Sequence, residues 1–344
     1  MNSFKTPKKT KKLKKTAEKT TKNHHFPLYF HTVRQKIDQL ITLGTVETMM
    51  KNEKRTNPHG IGKPYFSDLD GSFVLYQGDS LRILNELPEN SVHTIFADPP
   101  YFLSNGGMTC KSGRRASVDK GKWDESQGTE ANHKFTRSWL EACRRVLHPD
   151  GTIFVSGTSH VIFSVGFAMQ QLGYKLLNDI TWYKVTPPPN LSCRYFTHST
   201  ETILWAAKSK KSKHYFDYQA MKTENGGKQM RSLWCILPPR KKEKRFGKHP
   251  TQKPLALLDR IVRASTKKGD VVLDPFNGSG TTGVAAALLG RKYIGVDLEQ
   301  KYLRLSLQRY RNLEDEPNLK ELKEKRTARG DDAKLHASAK TAIA

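Results

Sequence analysis

Two short stretches of this sequence place reactive residue types at spacings that suit chemistry. The first is Asp98-Pro99-Pro100-Tyr101, directly after the apolar run Val92–Ala97. A strand over that run must end there, because consecutive prolines remove ladder donors. Asp98 then sits at a carboxyl strand end, where doubly wound sheets bind their ligands. Its carboxylate and the Pro99 carbonyl are two neighbouring acceptors for the hydrogens of a single NH₂ group. An aromatic amine is a poor nucleophile, since its lone pair is delocalised into the ring. Two fixed acceptors favour a more tetrahedral nitrogen and free that lone pair for in-line attack on a sulfonium methyl. Tyr101 supplies a ring that can stack on a base drawn out of a duplex.

The second stretch runs Leu273-Asp274-Pro275-Phe276-Asn277-Gly278-Ser279-Gly280-Thr281-Thr282-Gly283. A buried strand over 271–273 gives way to a glycine-rich turn and a helix over 281–289, and Asp297 closes the next strand, 293–296. The glycines from 278 to 283 match G-x-G-x-x-G, where the backbone approaches a ligand closely and a downstream acid accepts from ribose hydroxyls. Either adenosine cofactor, NAD or S-adenosylmethionine, satisfies that geometry, so a nicotinamide-dependent dehydrogenase is a rival. A P-loop is excluded, because no Lys-Ser/Thr pair follows the glycines. A hydride-transfer enzyme leaves Asp98–Tyr101 without a role, which favours methyl transfer.

The elements that must position these motifs alternate along the chain. Strands are predicted over 73–76, 92–97, 152–156, 180–183, 202–206, 271–273 and 293–296. Helices are predicted over 80–87, 135–147, 161–172, 254–266 and 281–289, and 148–151 reads as a turn. This rhythm implies a doubly wound, mostly parallel α/β sheet. Trp182 and Trp205 lie in apolar strands and are expected in the core. The stretch 102–134, with Gly106-Gly107 and Arg114-Arg115, is expected to be a mobile loop that closes over a polyanion beside Asp98. From 207 to 248 the rhythm breaks: Lys and Arg are dense, with Tyr215, Phe216, Tyr218, Trp234 and Phe246 interleaved. Cations for phosphates and rings for bases suit a nucleic-acid recognition insertion.

Charge agrees. Lys and Arg number 59 against 33 Asp and Glu, a net +26 that calls for a polyanionic partner. The first 23 residues are low-complexity and lysine-rich, and the last thirty or so are polar and alanine-rich, so both tails are expected to be disordered. No apolar stretch is long enough for a spanning helix, and no apolar segment follows the N-terminal lysines as in a secretory signal. Cys110, Cys143, Cys193 and Cys235 are dispersed without a CxxC pair, and no metal-ligand set emerges. A reduced, cytoplasmic setting with no membrane partner follows.

Taken together, the motifs resemble the amino-DNA methyltransferases that modify adenine N6 or cytosine N4. Their D-P-P-Y signature appears as Asp98–Tyr101 and their cofactor motif as Asp274–Gly280. The catalytic motif comes first, as in the β group of that family, and the match covers roughly 66–310. The resemblance implies a circularly permuted Rossmann-like sheet, S-adenosylmethionine as cofactor and DNA as substrate. It implies catalytic Asp98, Pro99, Pro100 and Tyr101, and a cofactor site of Asp274, Pro275, Phe276, Gly278, Gly280 and Thr281. Asp297 is expected at the ribose, Thr251, Gln252 and Lys253 at the methionine end, and Asp79 near the adenine. Arg114, Arg115, Lys228, Arg231, Arg240 and Lys241 are expected on the DNA. Aspartate rather than serine at 98 points to N6 of adenine, with N4 of cytosine the alternative. The stretches 98–107 and 187–206 look like the second adenine methyltransferase of DpnII-type restriction systems. That likeness implies a GATC target in double- or single-stranded DNA and a separate restriction endonuclease, and the β group adds a homodimer. The domains expected are an arm and lead-in, 1–65, a catalytic domain, 66–310, containing the insertion 207–248, and a tail, 311–344.

Overall fold

The computed structural model describes residues 62–313 except 105, 107, 112–113, 118–120 and 122–123. The lysine-rich arm and nearly all of the C-terminal tail lie outside the described residues. In chain order the strands are β1 (Phe66–Ser67), β2 (Phe73–Gln77), β3 (Val92–Ala97), β4 (Met108–Lys111), β5 (Arg114–Ser117) and β6 (Leu147–Gly157). They continue with β7 (Lys175–Tyr183), β8 (Thr200–Ala207), β9 (Leu233–Cys235), β10 (Val271–Asp274) and β11 (Lys292–Asp297). The helices are α1 (Ser80–Glu86), α2 (Thr129–Val146), α3 (Ile162–Gln171), α4 (Tyr218–Glu224), α5 (Leu255–Ser265), α6 (Thr281–Leu288) and α7 (Gln300–Arg311).

The central strands read as continuous apolar runs because helices cover both faces of their sheet. Successive side chains pass to opposite faces. Val74, Tyr76, Ile95, Ala97 and Ile153 join Leu84, Trp139 and Val165 in a core beneath α1, α2 and α3. Phe73, Leu75, Phe96 and Phe154 join Leu258, Val284 and Leu303 beneath α5, α6 and α7.

The sheet order is β1-β2-β11-β10-β3-β6-β8-β7-β9. Although β10 comes late in the chain, it lies between β11 and β3 and runs parallel to both. From β10 the chain passes through α6 to β11 on one side; from β3 it passes through α2 to β6 on the other. The carboxyl ends of β10 and β3 therefore flank a topological switch point, where open α/β sheets bind ligands. The glycine turn and Asp98 meet at this crevice, as the permuted order requires.

The sheet is mostly parallel, as expected, and three details differ from or add to the strand-and-loop reading. First, β8 is antiparallel to both β6 and β7. Residues 184–199 form no crossover helix, and a chain that returns directly makes an antiparallel pair. Second, 102–134 is not loop throughout: β4 and β5 pair as a hairpin with Lys111 opposite Arg114, and α2 begins at Thr129. Third, the insertion 207–248 is partly scaffold. It supplies α4, whose Glu224 pairs with Arg260 and Arg263 of α5, and β9, which extends the sheet beside β7. Trp234, expected among base-stacking rings, is buried there beneath the Arg260 guanidinium. Trp182 and Trp205 are buried as expected.

Candidate active site

Asp98 follows β3 directly, and two prolines stop the ladder at that point. The hydroxyl of Tyr101 lies 2.6 Å from Asp98 Oδ1, 2.9 Å from Glu201 Oε1 and 3.2 Å from Ser156 Oγ. Lys253 Nζ donates to Asp98 Oδ2 at 2.6 Å and lies 3.2 Å from Glu201 Oε1. Glu201 also accepts from Ser156 Oγ and from Lys184 Nζ, each at 2.6 Å. Burial raises the Asp98 carboxyl above its ordinary pKa, with Lys253 opposing and Glu201 adding to the rise. Burial would raise Glu201 too, but Lys253 and Lys184 hold it well below the carboxylate range.

The loop after Asp98 is held from behind. The fully buried carboxylate of Asp124 accepts from the backbone N–H of Tyr101, Phe102 and Leu103 at 2.8, 2.9 and 3.2 Å, and from Ser104 Oγ at 3.0 Å. Those bonds keep Phe102 in the left-handed region at φ 57°, a strained state for a residue with a Cβ.

Asp274 ends β10 and braces the glycine turn: it accepts from the Phe276 N–H at 3.0 Å and from Thr282 Oγ1 at 2.6 Å. Asp297, at the end of β11, accepts from the Gly278 N–H at 2.7 Å and from the Glu299 N–H at 2.8 Å. Burial pushes Asp274 up to about 7 and Asp297 up to about 6, in spite of these bonds. A carboxyl raised in the folded state stabilises the fold below its unfolded pKa, and that contribution is lost as pH rises through the folded value. Stability of the ligand-free chain should therefore fall through the window from 3.8 to about 7 on account of Asp274. In thermal melts across that window, Asp274→Asn should flatten the slope; an unaltered slope would contradict the burial argument.

One cleft takes in both motifs. Its walls include Asp98 to Tyr101, Thr251 to Lys253, Asp274 to Phe276, Gly278, Thr281, Asp297 and Asp79. Asp79 also caps α1 by accepting from the Arg82 N–H at 2.9 Å. Gly280 is turned away from the cleft, towards Ser306 of α7. Gln252 donates to the Glu243 carbonyl, while its Oε1 is buried without a hydrogen-bond partner among the described residues. Tyr101, expected as a stacking ring, is only 7% exposed, and its hydroxyl belongs to the carboxylate network.

Among the described side chains, Lys228, Arg231, Arg240 and Lys241 are not part of the cleft wall. Arg114 and Arg115 are on β5, Lys228 and Arg231 are exposed before β9, and Arg240 and exposed Lys241 follow it. Sequence reasoning missed Asp124, Ser156, Lys184 and Glu201. The available signal was slight: Lys184 and Glu201 are single charges abutting the apolar runs 180–183 and 202–206.

Residues 92–308 match the N6_N4_Mtase family model, described as DNA methylase. The chain is 55% identical over 248 residues to Type II methyltransferase M2.LlaDCHI of Lactococcus lactis subsp. cremoris, covering 72% of this chain and 91% of that one. It is 51% identical over 262 residues to Type II methyltransferase M2.DpnII of Streptococcus pneumoniae, covering 76% and 97%. Among solved structures, the M1.HpyAVI–SAM complex superposes with a TM-score of 0.53 at 28% identity, covering 69% of this chain and 98% of that one.

Proposed function

Because the chain belongs to the N6/N4 family of DNA methylases and uses S-adenosylmethionine to methylate DNA, we propose that its target is the N6 amine of adenine in a short recognition sequence. The observation that carries this reading is an aspartate at the first position of the catalytic motif, placed at the switch point in the same cleft as the glycine turn. The Asp98 carboxylate and the Pro99 carbonyl accept from the amine, and Pro100 keeps the loop rigid. Tyr101 anchors Asp98 through its hydroxyl and offers a ring edge to the extruded base.

The cofactor residues fit as well. Asp297 stands at the end of β11, where it can accept from ribose hydroxyls, and Asp79 lines the same cleft. The orphaned Gln252 Oε1 is an acceptor suited to the cofactor's ammonium group, with Thr251 beside it. Asp274, Pro275, Phe276, Gly278, Gly280 and Thr281 build the turn that cradles the cofactor. Bound S-adenosylmethionine supplies an electrophilic methyl group on a sulfonium. The protein's own contribution is position and charge: two acceptors fixed at the nitrogen, in a site largely closed to water.

Arg114, Arg115, Lys228, Arg231, Arg240 and Lys241 are the cations proposed to meet DNA phosphates. The same reading sets the catalytic domain at 66–310 with its recognition insertion at 207–248, GATC as target, and duplex or single-stranded DNA as substrate. The Type II designation of M2.DpnII and M2.LlaDCHI supports a restriction–modification setting. There we place the enzyme in the cytoplasm, as a homodimer, alongside a separate endonuclease.

Asp124→Ala should lower the methyl-transfer rate by about tenfold to hundredfold, because the acceptors at 98 and 99 lose their backing. Cofactor affinity should change little, and the 101–104 loop should become sensitive to proteases. A wild-type rate in this variant would show that the loop holds itself. The function is tested by transferring labelled methyl groups to unmethylated DNA and identifying the modified nucleoside by mass. N6-methyladenine is the expected product; N4-methylcytosine would overturn the target base, and absence of label in DNA would overturn the substrate.

A further inference from the structure

One charged side chain from outside the catalytic motif touches its carboxylate, and two more stand behind it. Lys253 touches Asp98 at 2.6 Å and Glu201 at 3.2 Å, and Lys184 touches Glu201 at 2.6 Å. The side chains of Lys253, Asp98 and Glu201 are 8%, 15% and 4% exposed, and only Lys184, at 34%, reaches towards solvent. Two cations and two carboxylates sum to zero, which is how such a cluster survives burial.

A carboxyl removed from water tends to take up a proton. Protonated, it would present an O–H where the amine needs an acceptor. Asp98 is buried and faces a second anion, Glu201, while Asp274 lines the same cleft. The Tyr101 hydroxyl and the Lys253 ammonium are the two donors on its oxygens among the described contacts. Each oxygen keeps a further lone pair beyond these bonds.

We infer that Lys253, held in place by Glu201, is a positioning residue for methyl transfer: it keeps the Asp98 carboxylate ionised and oriented as the acceptor for the amine. Glu201 suits the task because three donors converge on it, Ser156, Lys184 and Lys253, with the Tyr101 hydroxyl 2.9 Å away. Burial acts against the charge on Lys253, yet Asp98 and Glu201 together raise its pKa above the ordinary lysine value. The resemblance assigned Lys253 to the cofactor; the contacts tie its ammonium to the catalytic carboxylate.

This inference rests on the reading of Asp98 as the amine's acceptor, so its test carries a control for that reading. Single-turnover methyl transfer to a fixed DNA substrate is measured from about pH 5.5 to about pH 9.5, alongside S-adenosylmethionine binding. Lys253→Gln should fall about tenfold to hundredfold at neutral pH, because Asp98 loses the cation that opposes its protonation. Its acid limb should move to higher pH, part of the rate should return in the alkaline range, and cofactor affinity should stay within about threefold. Lys253→Arg should keep the wild-type acid limb. Glu201→Gln removes the neighbouring anion but keeps an oxygen to hold Lys253, so it should move the limb to lower pH, and it serves as the second variant if Lys253→Gln does not fold. A Lys253→Gln rate reduced equally at every pH, or reduced in step with cofactor affinity, would overturn the inference. So would a Glu201→Gln limb that stays put or moves upward. If Asp98→Ala remains active, the reading of Asp98 itself fails; if it is inactive while Lys253→Gln keeps the wild-type limb, only this inference fails.

Discussion

Asp98→Ala is expected to lower single-turnover methyl transfer by about a hundredfold to a thousandfold, the usual cost of removing one preorganised polar group at the site of charge development. Cofactor affinity should remain within about threefold, since the glycine turn is braced by Asp274 and Asp297 rather than by Asp98. The fold should survive, because Lys253 keeps Glu201 as a partner when Asp98 is gone. Asp98→Asn makes the sharper comparison. Its amide oxygen still accepts from Lys253, and its NH₂ can face a Tyr101 hydroxyl that turns to donate to Glu201, but the negative charge opposite Lys253 is lost. We expect it to lie between wild type and alanine. Equal loss of rate and of cofactor affinity in Asp98→Ala would mean that the residue holds the cofactor rather than the amine.

Gly280→Val is expected to destroy both stability and cofactor binding. The residue caps α6 with φ at 71°, where a side chain is strained. A Cβ there would clash with Ser306 Oγ and meet its Cβ at 2.6 Å and its Cα at 2.9 Å. The last contact is backbone and cannot rotate away. Overpacking and left-handed strain together should cost about 3 kcal/mol or more, enough to lower Tm by roughly 10 °C in a domain of this size. Gly278→Ala should be milder: the nearest atoms to its Cβ are those of the His249 ring, at 3.2 Å. Sequence reasoning ascribed both glycines to close approach of the ligand. At 280 the close approach is to α7, where Arg309 also grips the turn through the Ser279 carbonyl and Thr281 Oγ1. Gly280→Ala combined with Ser306→Gly should recover part of the lost stability; no recovery would return the glycine to a ligand-contact role.

Much of the site was legible because its motifs are local. Asp98-Pro99-Pro100-Tyr101 carries its own strand stop, and Asp274 to Gly283 carries strand end, turn and helix start within a few residues. The strand and helix positions followed from apolar periodicity, with ends displaced by a few residues, as at Thr129 for α2 and Leu147 for β6. Strand direction was not legible for β8, because an alternating apolar run reads the same in either sense. The role of Trp234 was misjudged for a related reason: an aromatic among cations looks alike whether it faces DNA or packs as β9 joins the sheet edge.

The sequence by itself determined the reaction class, the adenosine-type cofactor turn and the permuted order of the sheet, since each is written in contiguous residues whose spacing dictates local geometry. Only the tertiary structure decided what controls the catalytic carboxylate. Lys253 is 155 residues from Asp98 in the chain, Glu201 is 100 from Tyr101, and Asp124 reaches the loop from 23 residues away. Coulomb and hydrogen-bond energies depend on distance and burial, and here strand order and register set both.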